Sequence, residues 1–145
     1  MLLSRPLRAM APAFGIILGF AWGCASDDEE PNPIVCDASS CSCGPQDDCE
    51  ITEQMCFQGS CSLDCEADSV CVGECGESCS VDCAAGAQCD LTLGKSGSVT
   101  CSEGAICNVT CTDECSVSCG GAAECSLQCA GESEPQTLTE GGNCG

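Results

Sequence analysis

A cysteine pattern with a fixed interval of 18 residues runs through residues 61–132. The four copies read CSLDCEADSVCVGECGES, CSVDCAAGAQCDLTLGKS, GSVTCSEGAICNVTCTDE and CSVSCGGAAECSLQCAGE. Two cysteine columns are complete: Cys65, Cys83, Cys101, Cys119 and Cys71, Cys89, Cys107, Cys125. A third complete column is apolar: Leu63, Val81, Val99 and Val117. A period of this size marks a solenoid. One copy cannot bury its apolar face alone, and stacked copies build a continuous interior.

Each copy holds two segments of the form C-x-apolar-x-C, with exceptions at Gly73, Leu93 and Gly97. Cys79, Val81 and Cys83 sit two residues apart, so an extended strand puts all three on one face and Ser80 and Asp82 on the other. Helical spacing would scatter them. Five-residue turns such as residues 84–88 (AAGAQ) alternate with three-residue turns such as residues 94–96 (GKS). The expected fold is therefore all-β: a small two-sided, disulfide-stapled β-solenoid of about four 18-residue coils. Its coils would stack about 4.8 Å apart.

Two cysteines are missing inside the repeats, and they are neighbours. Leu93 and Gly97 face each other across one short turn. Losing both ends of one bridge leaves no stray thiol, which points to bridges across turns. These are Cys75 with Cys79 and Cys111 with Cys115 over short turns. Over long turns they are Cys65 with Cys71, Cys83 with Cys89, Cys101 with Cys107, and Cys119 with Cys125. Ladder pairing between neighbouring coils is the alternative, since stacked strands also bring Cα atoms within bridging range. It would leave Cys75 and Cys115 unpaired. Residues 36–60, with irregularly spaced cysteines, read as an N-terminal cap. Cys56 with Cys61 is a plausible bridge there, and Cys129 with Cys144 would tie back a polar tail at residues 133–145.

Composition explains why sulfur is needed. Cysteine supplies 21 of 145 residues. From Ile34 onward there are 17 Ile, Leu, Val, Met and Phe, and Phe57 is the lone aromatic. Burial on that scale does not offset the entropy of ordering the backbone, so cross-links must make up the difference. Disulfides in turn persist outside the cytosol.

The N-terminus agrees with export. Arg5 and Arg8 precede an apolar run at residues 10–22 (MAPAFGIILGFAW), and Gly23 is small. Pro12, Gly15 and Gly19 interrupt the run, which is too short to span a bilayer. Residues 1–23 are the expected signal peptide. The motif AWGC at residues 21–24 resembles the lipobox of bacterial lipoproteins, with Gly23 and Cys24 matching and Ala21 and Trp22 departing from the usual choices. The resemblance covers about the first 24 residues. It implies acyl chains on Cys24 and a membrane as partner. Ala25 in place of Asp implies the outer membrane under the enterobacterial sorting rule. Gly23-Cys24-Ala25 also fits a cleavage site that would free a secreted protein. Setting Cys24 aside leaves twenty cysteines, an even number, under either reading. Residues 24–35 form an acidic, Pro-bearing tether that like charges extend. The signal and tether are expected to be disordered.

Charge and residue types narrow the function. Removal of residues 1–23 leaves Lys95 against 23 acids, a net charge of −22. Nucleic acid and anionic lipid headgroups are excluded as electrostatic partners. The chain has no His, the commonest general base, and no C-x-x-C. No catalytic residue, cofactor or dedicated metal site is expected. Cys41-Ser-Cys43 is the one C-x-C, as in metallothionein-like chains, so thiolate metal binding is a third reading. Asp64 and Asp82 on one face, with Glu74 and Asp90 on the other, suit loose divalent-cation association rather than a calcium loop. The outward Ser62, Ser80, Ser98 and Ser116 resemble the hydroxyl ladders of insect antifreeze proteins, but Asp64 and Asp82 interrupt the face. Asn108-Val-Thr110 matches a glycosylation sequon by chance. The leading expectation is a non-enzymatic, lipid-anchored cell-envelope protein with a structural or recognition role and an unidentified partner. A secreted binding or inhibitory module is the alternative.

Overall fold

A computed structural model of the chain describes residues 34–37, 39–55 and 60–145. The expected signal, Cys24, nearly all of the tether, and Cys56 lie outside these residues. Thirteen strands follow in order: β1 (Val35–Cys36), β2 (Ser40–Cys43), β3 (Asp48–Ile51), β4 (Cys61–Cys65), β5 (Val70–Cys75), β6 (Cys79–Cys83), β7 (Gln88–Leu93), β8 (Gly97–Cys101), β9 (Ile106–Cys111), β10 (Cys115–Cys119), β11 (Glu124–Gln128), β12 (Gln136–Thr137) and β13 (Gly141–Cys144). One turn of 3-10 helix, Glu53–Met55, follows β3. The described residues contain no α-helix.

The strands alternate between two sheets. One has the order β1-β2-β4-β6-β8-β10-β13 and the other β12-β11-β9-β7-β5-β3. Within each sheet the coil strands run parallel and in register, residue i against residue i+18 through the repeats. Leu63 thus meets Val81, Val81 meets Val99, and Val99 meets Val117. The hydrogen-bond ladder continues through the turns, as where the Ala84 amide donates to the Cys65 carbonyl and Ser102 to Cys83.

The solenoid has five coils, one more than the four 18-residue copies. Residues 36–60 hold more than a cap, for β2 and β3 pair with β4 and β5 as a complete first coil. Its register is offset by 22 residues, Cys43 against Cys65 and Cys49 against Cys71. The four extra residues fall between Ile51 and Cys61, where the 3-10 turn sits. They broke the period and hid the coil.

The interior is a grid of three columns: sulfur at both edges and aliphatic carbon between. Leu63, Leu91, Leu93, Val81 and Val99 are the largest fully buried side chains. Where sulfur bridges the two sheets, Cα atoms stand 5.9 to 6.7 Å apart within the repeats. The section is therefore pinched at the edges, since a disulfide cannot span the roughly 10 Å preferred by facing sheets.

Three long turns of the repeats are closed by one hydrogen bond, from Ser69 to Glu66, Ala87 to Ala84, and Ala105 to Ser102. The third residue of each of these turns is left-handed, with φ of 61°, 79° and 78° at Asp68, Gly86 and Gly104. The fourth, Ser69, Ala87 or Ala105, is fully buried and small enough to tuck under the turn.

Three of the four sheet ends are covered by antiparallel strands: β1 on β2, β13 on β10, and β12 on β11. Leu138 packs on the core beyond Leu127 as an end plug, and Ile34 and Met55 pack on it as partly buried apolar side chains. Gly142 leaves the room: a Cβ there would press at 3.0–3.1 Å on the methyl carbons of Leu138 and Leu127.

Gly73 occupies an inward position at φ +143°, and an added Cβ would overlap the Ile51 carbonyl of the previous coil. Gly73→Ala is expected to lower Tm by roughly 8 °C or more, measured by thermal melting of the oxidised protein. Leu93, fully buried, fills the space of the missing bridge, and a Cβ on Gly97 would press on it at 3.0 Å. The double variant Leu93→Cys with Gly97→Cys should therefore oxidise to one further bridge. Intact mass would show its two-hydrogen loss, with no added alkylation.

Candidate functional site

The sulfur framework comes first, because every surface is positioned by it. All nineteen described cysteines are disulfide-bonded. Long turns carry Cys43–Cys49, Cys65–Cys71, Cys83–Cys89, Cys101–Cys107 and Cys119–Cys125. Short turns carry Cys75–Cys79 and Cys111–Cys115. Cys36–Cys41 staples the β1–β2 cap, and Cys129–Cys144 ties down the tail. Cys61 is bonded, and the Cys56 suggested as its partner lies outside the described residues. The Cys43 and Cys49 bridge went unread in the sequence, although the pair has the same spacing as Cys65 and Cys71.

Stacked bridges bring sulfurs of different coils together. Cys65, Cys83 and Cys89 form one group whose sulfurs all lie within 4.8 Å of one another, and Cys83, Cys101 and Cys107 form a second. Cys111, Cys115 and Cys144 form a third. Such groups have metal-site dimensions, but a metal takes the thiolate, and here each sulfur is committed to another sulfur.

The two outer faces differ. On the first sheet Ser40, Ser62, Ser80, Ser98 and Ser116 align in one row, with the Ser98 hydroxyl 3.4 Å from that of Ser80. Beside it run Ser42, Asp64, Asp82, Thr100 and Ser118. Asp64 and Asp82 are exposed register partners on adjacent parallel strands, so their carboxylates project side by side. The Ser42 hydroxyl donates to a Glu66 carboxylate oxygen at 3.3 Å.

On the second sheet Glu74 and Asp90 are exposed but stand in different rows, Glu74 beside Thr92 and Asp90 between Val72 and Asn108. The expected opposite-face acids are therefore not register partners. An open groove there is lined by Val70, Val72, Gln88, Asp90, Ile106 and Asn108. Asn108 Oδ1 accepts a hydrogen bond from the Ser126 hydroxyl at 2.8 Å, so the sequon asparagine is engaged within a central strand. Lys95 occupies the middle of its short turn as Glu77 and Asp113 do in the coils on either side.

The arrangement offers rigid, small-residue faces with negative charge and no His. Among the described residues no helix is long and apolar enough to cross a membrane. The chain matches no protein-family model, no curated protein sequence and no solved structure.

Like charges directly opposite in a sheet oppose each other. Asp82→Asn should therefore raise Tm by about 1–4 °C at low ionic strength, and the gain should vanish at 1 M salt. For the wild-type protein, calcium and magnesium at matched ionic strength are expected to stabilise equally. A calcium-specific rise in Tm would indicate a dedicated site instead.

Proposed function

We propose that this is a non-enzymatic, lipid-anchored protein of the bacterial cell envelope, with a structural or recognition role. The observation that carries the reading is the complete oxidation of the nineteen described cysteines. Ten or so bridges in one small chain suit an oxidising compartment outside the cytosol. The signal-like residues 1–23 and the Gly23-Cys24 junction supply the route and the anchor. Acyl chains on Cys24 would leave the remaining twenty cysteines an even number. Several chains on one residue hold stably where a single chain would be reversible.

The acidic stretch at residues 25–33 (ASDDEEPNP) then acts as a spacer. Its charges repel one another and an anionic bilayer surface, which projects the solenoid outward. A face rigid at both edges loses little conformational freedom when a partner docks, so recognition by such a scaffold does not require induced order. Ala25 after the anchoring cysteine favours the outer membrane.

The test is the native N-terminus. Expression in a bacterial host with lipoprotein processing should give a mature chain that begins at Cys24, carries the mass of acyl groups and fractionates with membranes. Cys24→Ser should abolish both the added mass and the membrane fraction. An unmodified N-terminus with the protein free in the medium would overturn anchoring and favour the secreted binding or inhibitory module. Bound metal with titratable thiols after non-reducing purification would favour thiolate metal binding.

A further inference from the structure

The C-terminal cap brings together two bridges that the rest of the solenoid keeps apart. Cys115 on β10 and Cys144 on β13 are direct register partners in an antiparallel pair. They are not bonded to each other. Cys115 is bonded to Cys111, and Cys144 to Cys129. The sulfurs of Cys111, Cys115 and Cys144 nevertheless all lie within 4.8 Å of one another.

The other end of the same sheet shows what such a register pair can do. Cys36 and Cys41 are antiparallel partners on β1 and β2, and they are bonded with Cα atoms 4.0 Å apart. Directly opposed residues in antiparallel strands stand about 4.5–5.5 Å apart, within bridging range. A bond from Cys115 to Cys144 would thus staple β13 onto β10 as β1 is stapled onto β2.

Accessibility sets a direction. Cys111 is fully buried, and Cys115 and Cys144 are nearly so. Cys129 is half-buried, at the start of an exposed loop, residues 130–135, that leads into β12. Among these four cysteines, Cys129 is the most exposed to solvent.

We propose that the C-terminal cap is a thiol–disulfide exchange centre, in which a low-molecular-weight thiol opening Cys129–Cys144 relocates the bridge to Cys115 and Cys144. The steps balance without a net oxidant. The external thiolate bonds to the Cys129 sulfur, the Cys129–Cys144 bond breaks, and its electron pair leaves on Cys144. The Cys144 thiolate then attacks the Cys115 sulfur. A Cys115–Cys144 bond forms, the Cys111–Cys115 bond breaks, and Cys111 departs as thiolate and takes a proton from water. Cys129 keeps the external thiol as a mixed disulfide. The loop at residues 130–135 loses its covalent tie, while β13 stays covalently held on the sheet. The neighbouring short turn, between Leu93 and Gly97, keeps the same strand pairing without a bridge. The centre does not depend on lipid anchoring.

The wild-type oxidised chain tests this directly. Limited treatment with cysteamine, acid quench, alkylation and peptide mapping should reveal a Cys115–Cys144 linkage and an alkylated Cys111. Alkylated Cys144 with Cys111–Cys115 intact, in the molecules whose tail bridge has opened, would overturn the proposal. Cys111→Ala gives a second test without added thiol. Its unpaired Cys115 should attack Cys144 and expel Cys129, so that the single alkylated thiol maps to Cys129. Alkylation confined to Cys115 would overturn it.

Discussion

Closure of each coil by its own disulfide is the constraint on which this structure rests. The central column offers one Val, Leu or Ile per coil strand, except that β2 has Cys41 there and β5 has Gly73. Such a strip cannot hold two sheets together against backbone entropy. A short-loop bridge removes roughly 2 kcal/mol of that opposition in the chain-entropy account of cross-linking. Sulfur also sets the shape, because bridges at both edges force the sheets close and leave the widest gap for the aliphatic side chains.

The site at Leu93 and Gly97 shows how the two means of cohesion interchange. Leucine extends into the space a bridge would take, and glycine withdraws its side chain to admit it. Apolar burial replaces a covalent link at one layer of a column that is sulfur in the layers on either side. Neither position holds a cysteine, so the turn carries no unpaired thiol.

Much of the architecture was legible because the repeat is literal. The inward triplets such as Cys79, Val81 and Cys83 recur at 18-residue spacing, and parallel in-register stacking follows from that identity. Pairing across the turns was legible for a different reason, the coupled absence at Leu93 and Gly97. The first coil was not, because four extra residues after Ile51 shift its register to 22. Its Cys41 also stands where later coils carry Leu63 or Val81. The proximity of Cys115 and Cys144 was out of reach of any periodic argument. It arises where the chain reverses and pairs antiparallel, after the repeat has ended. The outer faces were legible as well: the same period pairs Asp64 with Asp82 and sets Glu74 beside Thr92, apart from Asp90.

The first strand of the second sheet, β3, pairs only with β5 among the described residues. Its outward side chains are Asp48 and Glu50, and charge on an exposed edge discourages further strands from joining. Growth by recruitment of other molecules is opposed at that end, and the other ends are covered. Lengthening from within is a different matter. Because the repeat bridges join residues only four or six positions apart, an in-frame 18-residue duplication would arrive with its own complement already matched. Such a fold can change reach by whole increments over evolutionary time without orphaning any partner elsewhere in the chain.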